Sequence, residues 1–484
     1  MPSMTDLFCG GGGSATGAAA VPGVQVRLAL NHSRDAVDTH EANHPRTLHD
    51  CADISQVDPR KYPRTDILWA SPECTNYSNA KGVERDHGEW DGGLWAADGT
   101  DEAAIRSRAT MWDVPRFAEA HAYRAIIVEN VVENRWWGPK HRPGAVYEAW
   151  VNTMRAWGYE HRAVYLNSMF AQGLGDGAPQ SRDRKFDIFW PEGERAPDLD
   201  KWTRPWALCP RHGRVQALQG WKSTKKCHPL RPWGRYGANR QYVWRCPRTE
   251  CRNHIVEPDV RPASQVIDWE LPAPTIGERT GEDALKPATL RRIKAGLDEF
   301  GRPYLVPMEG RDGKKALPLE QPMRTCSTRN ETAIAIPPYM VELRGGASSH
   351  RAITAPLSAV TAGGLHHGVV SAPDMVLPYY STSAARPADR TLGAVTTVEG
   401  HAAVYGRTIS DISELPFRML EPHEYQAAMD FPSTYVLTPP DKRTRVRLLG
   451  NAVTPCAARD LLAAVTESIT GEEIAPVSAY AQAA

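Results

Sequence analysis

The chain has 484 residues, of which 41% are hydrophobic and 24% are charged, and this size and composition predict a globular protein of two to four domains. Nine cysteines, an odd number scattered along the chain, argue against a disulfide scaffold and indicate a reducing, cytoplasmic compartment. No apolar run approaches the roughly 20 residues of a membrane span. No signal peptide precedes Asp6, and the formal net charge of zero does not by itself predict a nucleic-acid partner.

A glycine-rich turn follows the first predicted strand. The strand covers residues 4–8, the turn contains Gly10 to Gly13, and residues 15–20 form a helix of small side chains. This order is typical of a nucleotide-binding first turn, because glycine lets the backbone approach a ligand and the helix N-terminus offers free N–H groups. Four consecutive glycines do not fit the G-x-G-x-x-G pattern, so a flexible turn is the alternative.

Six further strands alternate with helical stretches such as residues 102–122 and 146–157. This alternation predicts an α/β fold with a doubly wound, Rossmann-like and mainly parallel sheet. The predicted strands are residues 24–30, a third unit that ends at Asp53-Ile54, and residues 67–69, 125–128, 163–166 and 186–190.

A cysteine follows the fourth strand, which ends abruptly at Ser71-Pro72. The thiol of Cys74 is therefore expected in a tight loop at the carboxyl end of a strand, where ligands bind in open α/β sheets. A lone cysteine is more often a small buried apolar residue, so this position alone leaves the nucleophile as one of two interpretations. Glu129 ends the fifth strand and is expected at the same rim.

Six segments resemble, in the same order, the motifs of the cytosine-5 DNA methyltransferase family. Any one is weak evidence, but together they identify the chain as a member. Two departures stand out: Glu73 and Thr75 replace the usual proline and glutamine around the cysteine, and His32 replaces the ribose-binding acid. A carboxylate beside the thiol would raise its pKa unless it points away. The segments are Asp6-Leu7-Phe8-Cys9-Gly10-Gly11-Gly12-Gly13, the Cys74 loop, Glu129-Asn130-Val131, Gln180 to Arg184, Arg418 through Pro432, and Gly450-Asn451-Ala452-Val453.

The resemblance implies methyl transfer from S-adenosylmethionine to carbon 5 of cytosine. Cys74 would attack carbon 6 of a base flipped out of the duplex, and Glu129 would hold or protonate ring nitrogen 3. Arg182 and Arg184 would bind the base oxygen and orient the thiolate, with structural ion pairs as the alternative for all three charged residues. The implied cofactor-binding residues are Asp6, Phe8, Gly10, Gly12, Gly13, His32, Asp53, Ser71, Asn451 and Val453.

The polar, glycine-rich segment 81–100 directly follows the Cys74 loop. We expect it to close over DNA, since such loops exclude water from active sites. A passive surface loop is the alternative.

Two Cys-Pro turns after residue 190 resemble zinc knuckles. Each turn directs two ligands at one point, and three thiolates with one imidazole form a closed tetrahedral site. The predicted ligands are Cys209, His212, Cys246 and Cys251, with Cys227, His228 and His254 as rivals and free thiols as the alternative.

The same insertion is strongly basic. Residues 201–261 contain 14 Lys or Arg against three acids, a local excess of +11, which suggests phosphate contacts. For Trp206, Trp221, Trp233 and Trp244, a small core around the metal is favoured over contact with DNA.

A repeat with a period near 35 residues follows the insertion and a predicted helix over residues 286–300. Equivalent turn positions at Pro322, Pro356 and Thr391 are 34 and 35 residues apart, which indicates a duplicated β unit. The family has its target-recognition region here, so we expect a smaller β-rich domain across a DNA-sized cleft, with a spacer as the alternative. The predicted strands are 303–306, 338–341 and 375–379, each followed by a closing strand at 332–334, 368–370 and 402–404.

These observations predict a catalytic domain over residues 1–195, a zinc ribbon-like insertion over 196–262 and a recognition region over 263–410. The chain then returns to the catalytic domain over 411–475, with helices within 416–435 and 460–466, and ends in a disordered tail over 476–484. We expect a monomer that acts on double-stranded DNA and contacts no membrane. An RNA cytosine methyltransferase and a non-catalytic DNA-binding relative are the alternatives.

Overall fold

The computed structural model describes residues 1–73, 109–139, 141–221, 234–237, 241–261, 413 and 421–475, with parts of 263–290 and the backbone of nine strands between 304 and 405. The predicted helix over 286–300, the segment 81–100 and the tail over 476–484 lie almost entirely outside these residues. No helix in the described part of the chain is both long and apolar enough to cross a membrane.

A seven-stranded sheet forms the centre of the N-terminal part of the chain, with the strand order β3-β2-β1-β4-β5-β7-β6. The first five strands are parallel, and β7 runs antiparallel to both β5 and β6. This architecture confirms the predicted Rossmann-like, mainly parallel sheet. The strands are β1 (Ser3–Leu7), β2 (Gln25–Asn31), β3 (Leu48–Cys51), β4 (Ile67–Ala70), β5 (Ala125–Asn130), β6 (Tyr159–Asn167) and β7 (Asp183–Pro191).

Helices cover both faces of the sheet, and each face has its own apolar core. Leu68, Ile126 and Val128 face α3 and α4, whereas Ile67 and Ile127 share a core with α1 and the C-terminal helix α8. This burial explains why β4 and β5 are continuously apolar. The helices are α1 (Gly13–Ala19), α2 (Arg34–Asn43), α3 (Asp113–His121), α4 (Ala145–Ala156), α5 (Leu199–Thr203), α6 (Pro422–Ala428), α7 (Lys442–Asn451) and α8 (Pro455–Thr470).

Several elements are longer than the sequence predicted, among them β5, β6, β7 and α8. Strand β6 begins at Tyr159 rather than 163, because its polar first half lies at the edge of the sheet, where one side of a strand meets water. Helix α8 begins at Pro455 rather than 460, since proline is well suited to the first turn of a helix.

The insertion adds two antiparallel strand pairs beside this sheet. Strand β8 (Trp206–Cys209) pairs with β9 (Gly213–Gln216), and β10 (Leu218–Trp221) pairs with β11 (Tyr242–Arg245). Tyr242 and Trp244 are buried in the same core cluster as the sheet residues Ile67 and Ile127. The insertion is therefore packed onto the sheet rather than tethered beside it.

Two of the four tryptophans in the predicted core, Trp244 and Trp221, pack in or against the buried cluster that contains Cys209, Cys246 and Cys251. Trp244 is 2% exposed, and Trp221 lies edge-on to Tyr165 with ring centroids 5.5 Å apart. Trp206 lies beneath the guanidinium of Arg214, and Trp233 lies outside the described residues.

Residues 304–405 form two further sheets, whose strand orders are β13-β12-β14 and β16-β15-β17-β20-β18-β19. Backbone pairing joins Tyr304 to Ala335, Tyr339 to Val370 and Asp374 to Tyr405, so each hairpin is displaced by 35 residues from the one before it. The period seen in the sequence is thus the period of the strand register. The division of the chain into domains stays a prediction. The strands are β12 (Tyr304–Pro307), β13 (Leu317–Pro318), β14 (Thr332–Ala335), β15 (Tyr339–Glu342), β16 (Arg351–Ala352), β17 (His367–Ser371), β18 (Asp374–Pro378), β19 (Arg386–Pro387) and β20 (His401–Tyr405).

Candidate functional site

An acid and a guanidinium meet at the carboxyl end of β5. Arg184 Nε and Glu129 Oε1 lie 2.6 Å apart, and each residue is 7% exposed. The two groups form an ion pair, although the N–H direction is not aligned for a hydrogen bond. They come together because β7 runs antiparallel beside β5, with Glu129 opposite Phe186. A buried pair of this kind can exchange its mutual contact for a polar ligand without leaving either charge unpaired.

Asn130 connects this pair to the loop that carries the predicted nucleophile. Its side-chain NH₂ donates to the carbonyl oxygen of Pro72 at 3.3 Å, and its carbonyl oxygen accepts from the N–H of Val131 at 2.9 Å. Pro72 stands two residues before Cys74, so the loop departs beside the end of β5. Cys74 itself lies outside the described residues, and its role stays a prediction.

Arg182, the other predicted base-binding arginine, is 2% exposed and lies beneath the last sequence motif. Its guanidinium donates to the carbonyl oxygens of Gly450 at 3.3 Å and Ala452 at 2.9 Å. Gln180, two residues earlier, donates to the carbonyl oxygen of Ala428 at 3.1 Å. These contacts attach the start of β7 to the C-terminal return of the chain. Contact between Arg182 and a base stays a prediction.

Asn167 was not singled out in the sequence, yet it organises the same strand. Its carbonyl oxygen accepts from the backbone N–H of Arg182 at 2.9 Å, and its NH₂ donates to Asp183 Oδ1 at 2.8 Å and Ser181 Oγ at 2.9 Å. It is fully buried at the end of β6. A polar residue that closes an otherwise apolar strand end is the signal that was available, as it was for Glu129.

The glycine turn after β1 lies against the C-terminal return. A Cβ atom on Gly13 would lie 1.8 Å from the carbonyl oxygen of Val453, and one on Gly12 would lie 2.2 Å from Tyr435 Oη. Only glycine permits these approaches. Gly10 differs, since a Cβ there would make only ordinary van der Waals contacts at 3.8 Å, although its φ of 52° still favours glycine. Phe8 beside it has a φ of 58° and is half-buried.

Asp6 is fully buried at the base of this turn. Its Oδ2 accepts from Ser14 Oγ at 2.5 Å, and its Oδ1 has no hydrogen-bond partner among the described residues. Cys9 in the same turn is buried, and burial, with the charge of Asp6, raises the pKa of its thiol well above the ordinary value. The chemistry of the turn is therefore that of a binding element and not of a nucleophile.

The other predicted cofactor contacts lie along one rim of the sheet. His32 directly follows β2, Asp53 comes two residues after β3, and Ser71 directly follows β4; β2 and β4 flank β1, and β3 lies beyond β2 at the edge of the sheet. His32, Asp53 and Asn451 are exposed, Ser71 is half-buried and Val453 is buried. The exposed or half-buried residues His32, Asp53, Ser71 and Asn451 along this rim fit a bound S-adenosylmethionine. The individual contacts stay predictions.

Three histidines lie behind the glycine turn. The His40 and His49 rings share a contact between Nδ1 and Nε2 at 2.7 Å, and the centroid of His44 lies 4.8 Å from that of His40. Burial, and repulsion from His40 and His49, lower the pKa of His44 from 6.5 to about 3. His44 is thus uncharged at neutral pH, and the buried Asp6 lies on the other side of the cluster, with its Oδ2 3.8 Å from His40 Nε2.

We expect this cluster to make the fold sensitive to acid. The pKa of His44 is lower in the folded chain, so the unfolded chain binds a proton that the folded chain does not as the pH falls from 6.5 toward 3. The contribution of His44 to the free energy of unfolding is therefore fully present above pH 6.5. Below pH 6.5 the free energy of unfolding decreases by up to about 1.4 kcal/mol for each pH unit. Urea unfolding followed by tryptophan fluorescence at pH 7 and pH 5 measures this slope. His44→Asn should flatten the slope, the exposed control His141→Asn should not, and an unchanged slope in His44→Asn would contradict the assignment.

The four predicted metal ligands converge on one point. Cys209 Sγ lies 3.5 Å from Cys251 Sγ and 3.6 Å from His212 Nδ1, which lies 3.5 Å from Cys246 Sγ. All four ligand atoms lie within 4.8 Å of one another. A tetrahedron with metal–sulfur bonds of about 2.3 Å and metal–nitrogen bonds of about 2.0 Å has ligand separations of roughly 3.5–3.8 Å. The donor set therefore fits one tetrahedral ion, and the sulfur atoms are too far apart for a disulfide.

The geometry of the first Cys-Pro turn favours the thiolate form of Cys209. Burial by itself would raise the pKa of Cys209, but backbone N–H groups of Arg211 and His212 and the contact with Cys251 lower it to about 6. The longer Cys246–Cys251 spacing is absorbed by a 3₁₀ turn over Thr249–Cys251. Of the rival ligands, His254 is exposed and lies outside the cluster, whereas Cys227 and His228 fall outside the described residues.

Comparison with known proteins agrees with this arrangement. Residues 3–197 match the family model described as C-5 cytosine-specific DNA methylase. No curated protein matches the sequence. Three similar solved structures are the methyltransferase EhMeth of Entamoeba histolytica (10% identity, TM-score 0.46, 97% of this chain and 99% of that chain), a mutant of Spodoptera frugiperda DNMT2 (12%, 0.45, 96% and 100%) and S. pombe Dnmt2 (11%, 0.47, 97% and 100%). With TM-scores below 0.5, these likenesses do not decide the substrate.

The family match supports methyl transfer to cytosine with S-adenosylmethionine as the methyl donor. It covers the sheet from β1 to β7, including the glycine turn, Glu129 and Arg184. The chain therefore carries a C-5 cytosine-specific DNA methylase domain over residues 3–197.

Proposed function

We propose that the chain transfers a methyl group to carbon 5 of cytosine in double-stranded DNA through a covalent bond between Cys74 and carbon 6 of a flipped base. The observation that carries the proposal is the buried Glu129–Arg184 pair at 2.6 Å. The pair lies at the rim where Asn130 binds the carbonyl oxygen of Pro72, just before Cys74. A carboxyl group and a guanidinium at one point match ring nitrogen 3 and the adjacent oxygen of cytosine.

Each group has a distinct task in this scheme. Attack of the Cys74 thiolate on carbon 6 makes carbon 5 nucleophilic. Glu129 holds a proton at ring nitrogen 3, so that negative charge does not accumulate in the ring, while Arg184 donates to the base oxygen. When bound, S-adenosylmethionine supplies a methyl group on a positively charged sulfur. Loss of the proton from carbon 5 and expulsion of the Cys74 thiolate then restore the aromatic ring.

The other described cysteines do not compete for this role. Cys9 and Cys456 are fully enclosed, and burial raises the pKa of both thiols above the ordinary value. Three more belong to the metal cluster, and Cys51 donates weakly to the carbonyl oxygen of His32 at 3.7 Å. Among the described residues, these cysteines therefore offer no alternative nucleophile beside Glu129.

Two features favour DNA over RNA. Residues 201–261 of the insertion have an excess of 11 positive charges, which suits a polyanion, and the three β units provide a large surface beyond the catalytic sheet. Both features suit the long, regular backbone of a duplex, whereas a small RNA loop requires less surface. An RNA substrate remains the second outcome of the test below.

We infer that the ion held by Cys209, His212, Cys246 and Cys251 is zinc. Three thiolates and one imidazole in a closed tetrahedral set suit Zn²⁺ best among the common divalent ions, and no position is left for water or substrate. The ion would therefore stabilise the insertion and take no part in the reaction.

Substrates that contain 5-fluorocytosine test the covalent step. Fluorine at carbon 5 cannot leave as a proton does, so the bond between the cysteine and the base persists after methyl transfer. With tritiated S-adenosylmethionine, we expect label on duplex DNA, and the fluorinated duplex should give a covalent band on a denaturing gel. Cys74→Ser should give neither label nor band, because an alcohol is a far weaker nucleophile than a thiolate.

Random-sequence duplex and total cellular RNA serve as the two substrate pools. Label on RNA alone would replace the DNA assignment with the RNA one. Label on neither pool, with S-adenosylmethionine still bound, would indicate a non-catalytic relative. Cys51→Ser, a half-buried cysteine at the end of β3, four strands away from β5 and Glu129 in the sheet, is the matched control and should retain both label and band.

A further inference from the structure

A short segment of the cysteine–histidine insertion lies against the catalytic edge of the sheet. In residues 234–237, Arg235 forms an ion pair with Glu133, whose side chain is 2% exposed. The backbone N–H of Tyr236 donates to Asp183 Oδ1 at 3.2 Å. Glu133 stands four residues after Glu129, and Asp183 precedes Arg184. The segment thus contacts residues that are close in sequence to both members of the catalytic pair.

Packing holds the segment in place on the sheet side. Gly234 has a φ of 79°, and a Cβ there would lie 2.0 Å from the ring of Tyr165 on β6. The Tyr236 ring lies edge-on to Phe170 with centroids 4.7 Å apart. No larger residue would fit at Gly234, so this close packing fixes the position of the segment against β6.

Backbone and side-chain hydrogen bonds hold the segment on the metal side. The N–H of Gly237 donates to the carbonyl oxygen of Tyr242 at 3.1 Å, and the N–H of Arg235 donates to Gln241 Oε1 at 3.1 Å. Tyr242 begins β11, which runs directly into the metal ligand Cys246. The metal cluster therefore anchors the strand that carries the segment.

We propose that Arg235 is a positioning residue for methyl transfer, and that the metal-bearing insertion acts through it on Glu129 and Arg184. The part concerning catalysis rests on the proposed function. Without the guanidinium, Glu133 would be a buried carboxylate with its counter-charge removed, which is strongly unfavourable. Either Glu133 would take up a proton, or the 3₁₀ turn that carries it, Val132–Trp136, would move. Glu129 precedes that turn by three residues, so a movement of the turn would displace Glu129.

Arg235→Ala, Arg235→Lys and Arg235→Ala with Glu133→Gln test the catalytic role in the full-length protein. Single-turnover methyl transfer should fall roughly ten- to hundred-fold in Arg235→Ala, as expected for a displaced catalytic group. Bound metal and the KM for S-adenosylmethionine should stay within twofold of wild type. Arg235→Lys keeps a charge and should recover part of the rate, as should the double variant, which has no buried charge to neutralise. Arg155→Ala, an exposed arginine at the end of α4, is the control.

A loss in Arg235→Ala that follows loss of metal, with no recovery in Arg235→Lys or in the double variant, would reduce Arg235 to a folding role and overturn the proposal. So would wild-type turnover in Arg235→Ala.

Hydrogen–deuterium exchange separates this inference from the proposed function, because it requires no substrate. Chelation of the metal and Arg235→Ala should each accelerate exchange in a peptide covering residues 129–136 at least threefold, with no change in residues 25–31 of the distant strand β2. If the wild-type protein methylates neither DNA nor RNA, the proposed function is refuted, but the exchange experiment still tests the coupling between the metal site and residues 129–136. Equal exchange of residues 129–136 in all three samples would overturn the coupling whatever the activity.

Discussion

Replacing Glu129 with glutamine is expected to lower the rate of methyl transfer by about two to four orders of magnitude, the usual contribution of a positioned proton donor. Glutamine keeps the size of the side chain but cannot hold a transferable proton at ring nitrogen 3. It also leaves Arg184, 7% exposed and 2.6 Å from the carboxylate in the wild type, without its counter-charge. The loss should appear in the single-turnover rate rather than in the affinity for S-adenosylmethionine.

Single-turnover transfer of tritiated methyl groups and equilibrium binding of the cofactor measure the two quantities separately. Glu148→Gln is the matched control, since it removes an exposed carboxylate that pairs with Arg135 at 3.6 Å. The control should stay within twofold of wild type. If Glu129→Gln retained more than a tenth of the wild-type rate, the carboxylate would have no proton-holding role, and the Glu129–Arg184 pair would be structural.

Replacing Cys246, a proposed zinc ligand, with serine should destabilise the sheet of residues 3–191 as well as the insertion. Structural zinc contributes on the order of 10 kcal/mol to small domains that fold around it. Here the cluster shares one core with the sheet: Trp202 and Trp244 lie in the same buried group as Ile127. We expect the first thermal transition to fall by roughly 10 °C or more, since about 2–4 °C is lost per kcal/mol in domains of this size.

Mass spectrometry of metals and differential scanning calorimetry test this prediction. Wild type should contain close to one equivalent of zinc and Cys246→Ser close to none. Cys51→Ser, which changes a cysteine outside the cluster, should keep both the metal and the transition temperature. Less than a tenth of an equivalent of zinc in the wild-type protein would end the zinc assignment, and a metal-free variant with an unchanged transition would confine the ion to a local role.

Most of the catalytic fold could be predicted from local pattern. Strand β5 illustrates why. Residues Ala125 to Val128 are apolar on both faces, as expected for a strand that is covered on both sides of the sheet. Glu129 ends this apolar run at the rim. The metal cluster was predictable for a similar reason, since two short turns each carry two ligands. The exposed half of β6 was missed, because a strand at a sheet edge has polar residues that resemble a loop.

The side chains of the site were harder to assign than the strands. Arg182 and Arg184 look equivalent in the sequence, being separated by one residue on a single strand. In the structure Arg184 meets Glu129, whereas Arg182 donates to the backbone of residues 450 and 452. The distinction arises from the neighbouring elements that pack on each residue, and those neighbours are distant in sequence.

The sequence by itself determined the order of the sheet strands, the 35-residue period, the four Cys and His residues that converge and the residues to consider at the rim, because each depends on spacing within a few dozen residues. Only the tertiary structure decided that Glu129 pairs with Arg184, that Arg182 donates to the end of helix α7, 268 positions away, and that Arg235 of the insertion pairs with Glu133, 102 positions earlier. Contacts of that range depend on how finished elements pack, and the identity of a charged side chain does not reveal which of many possible partners it will meet.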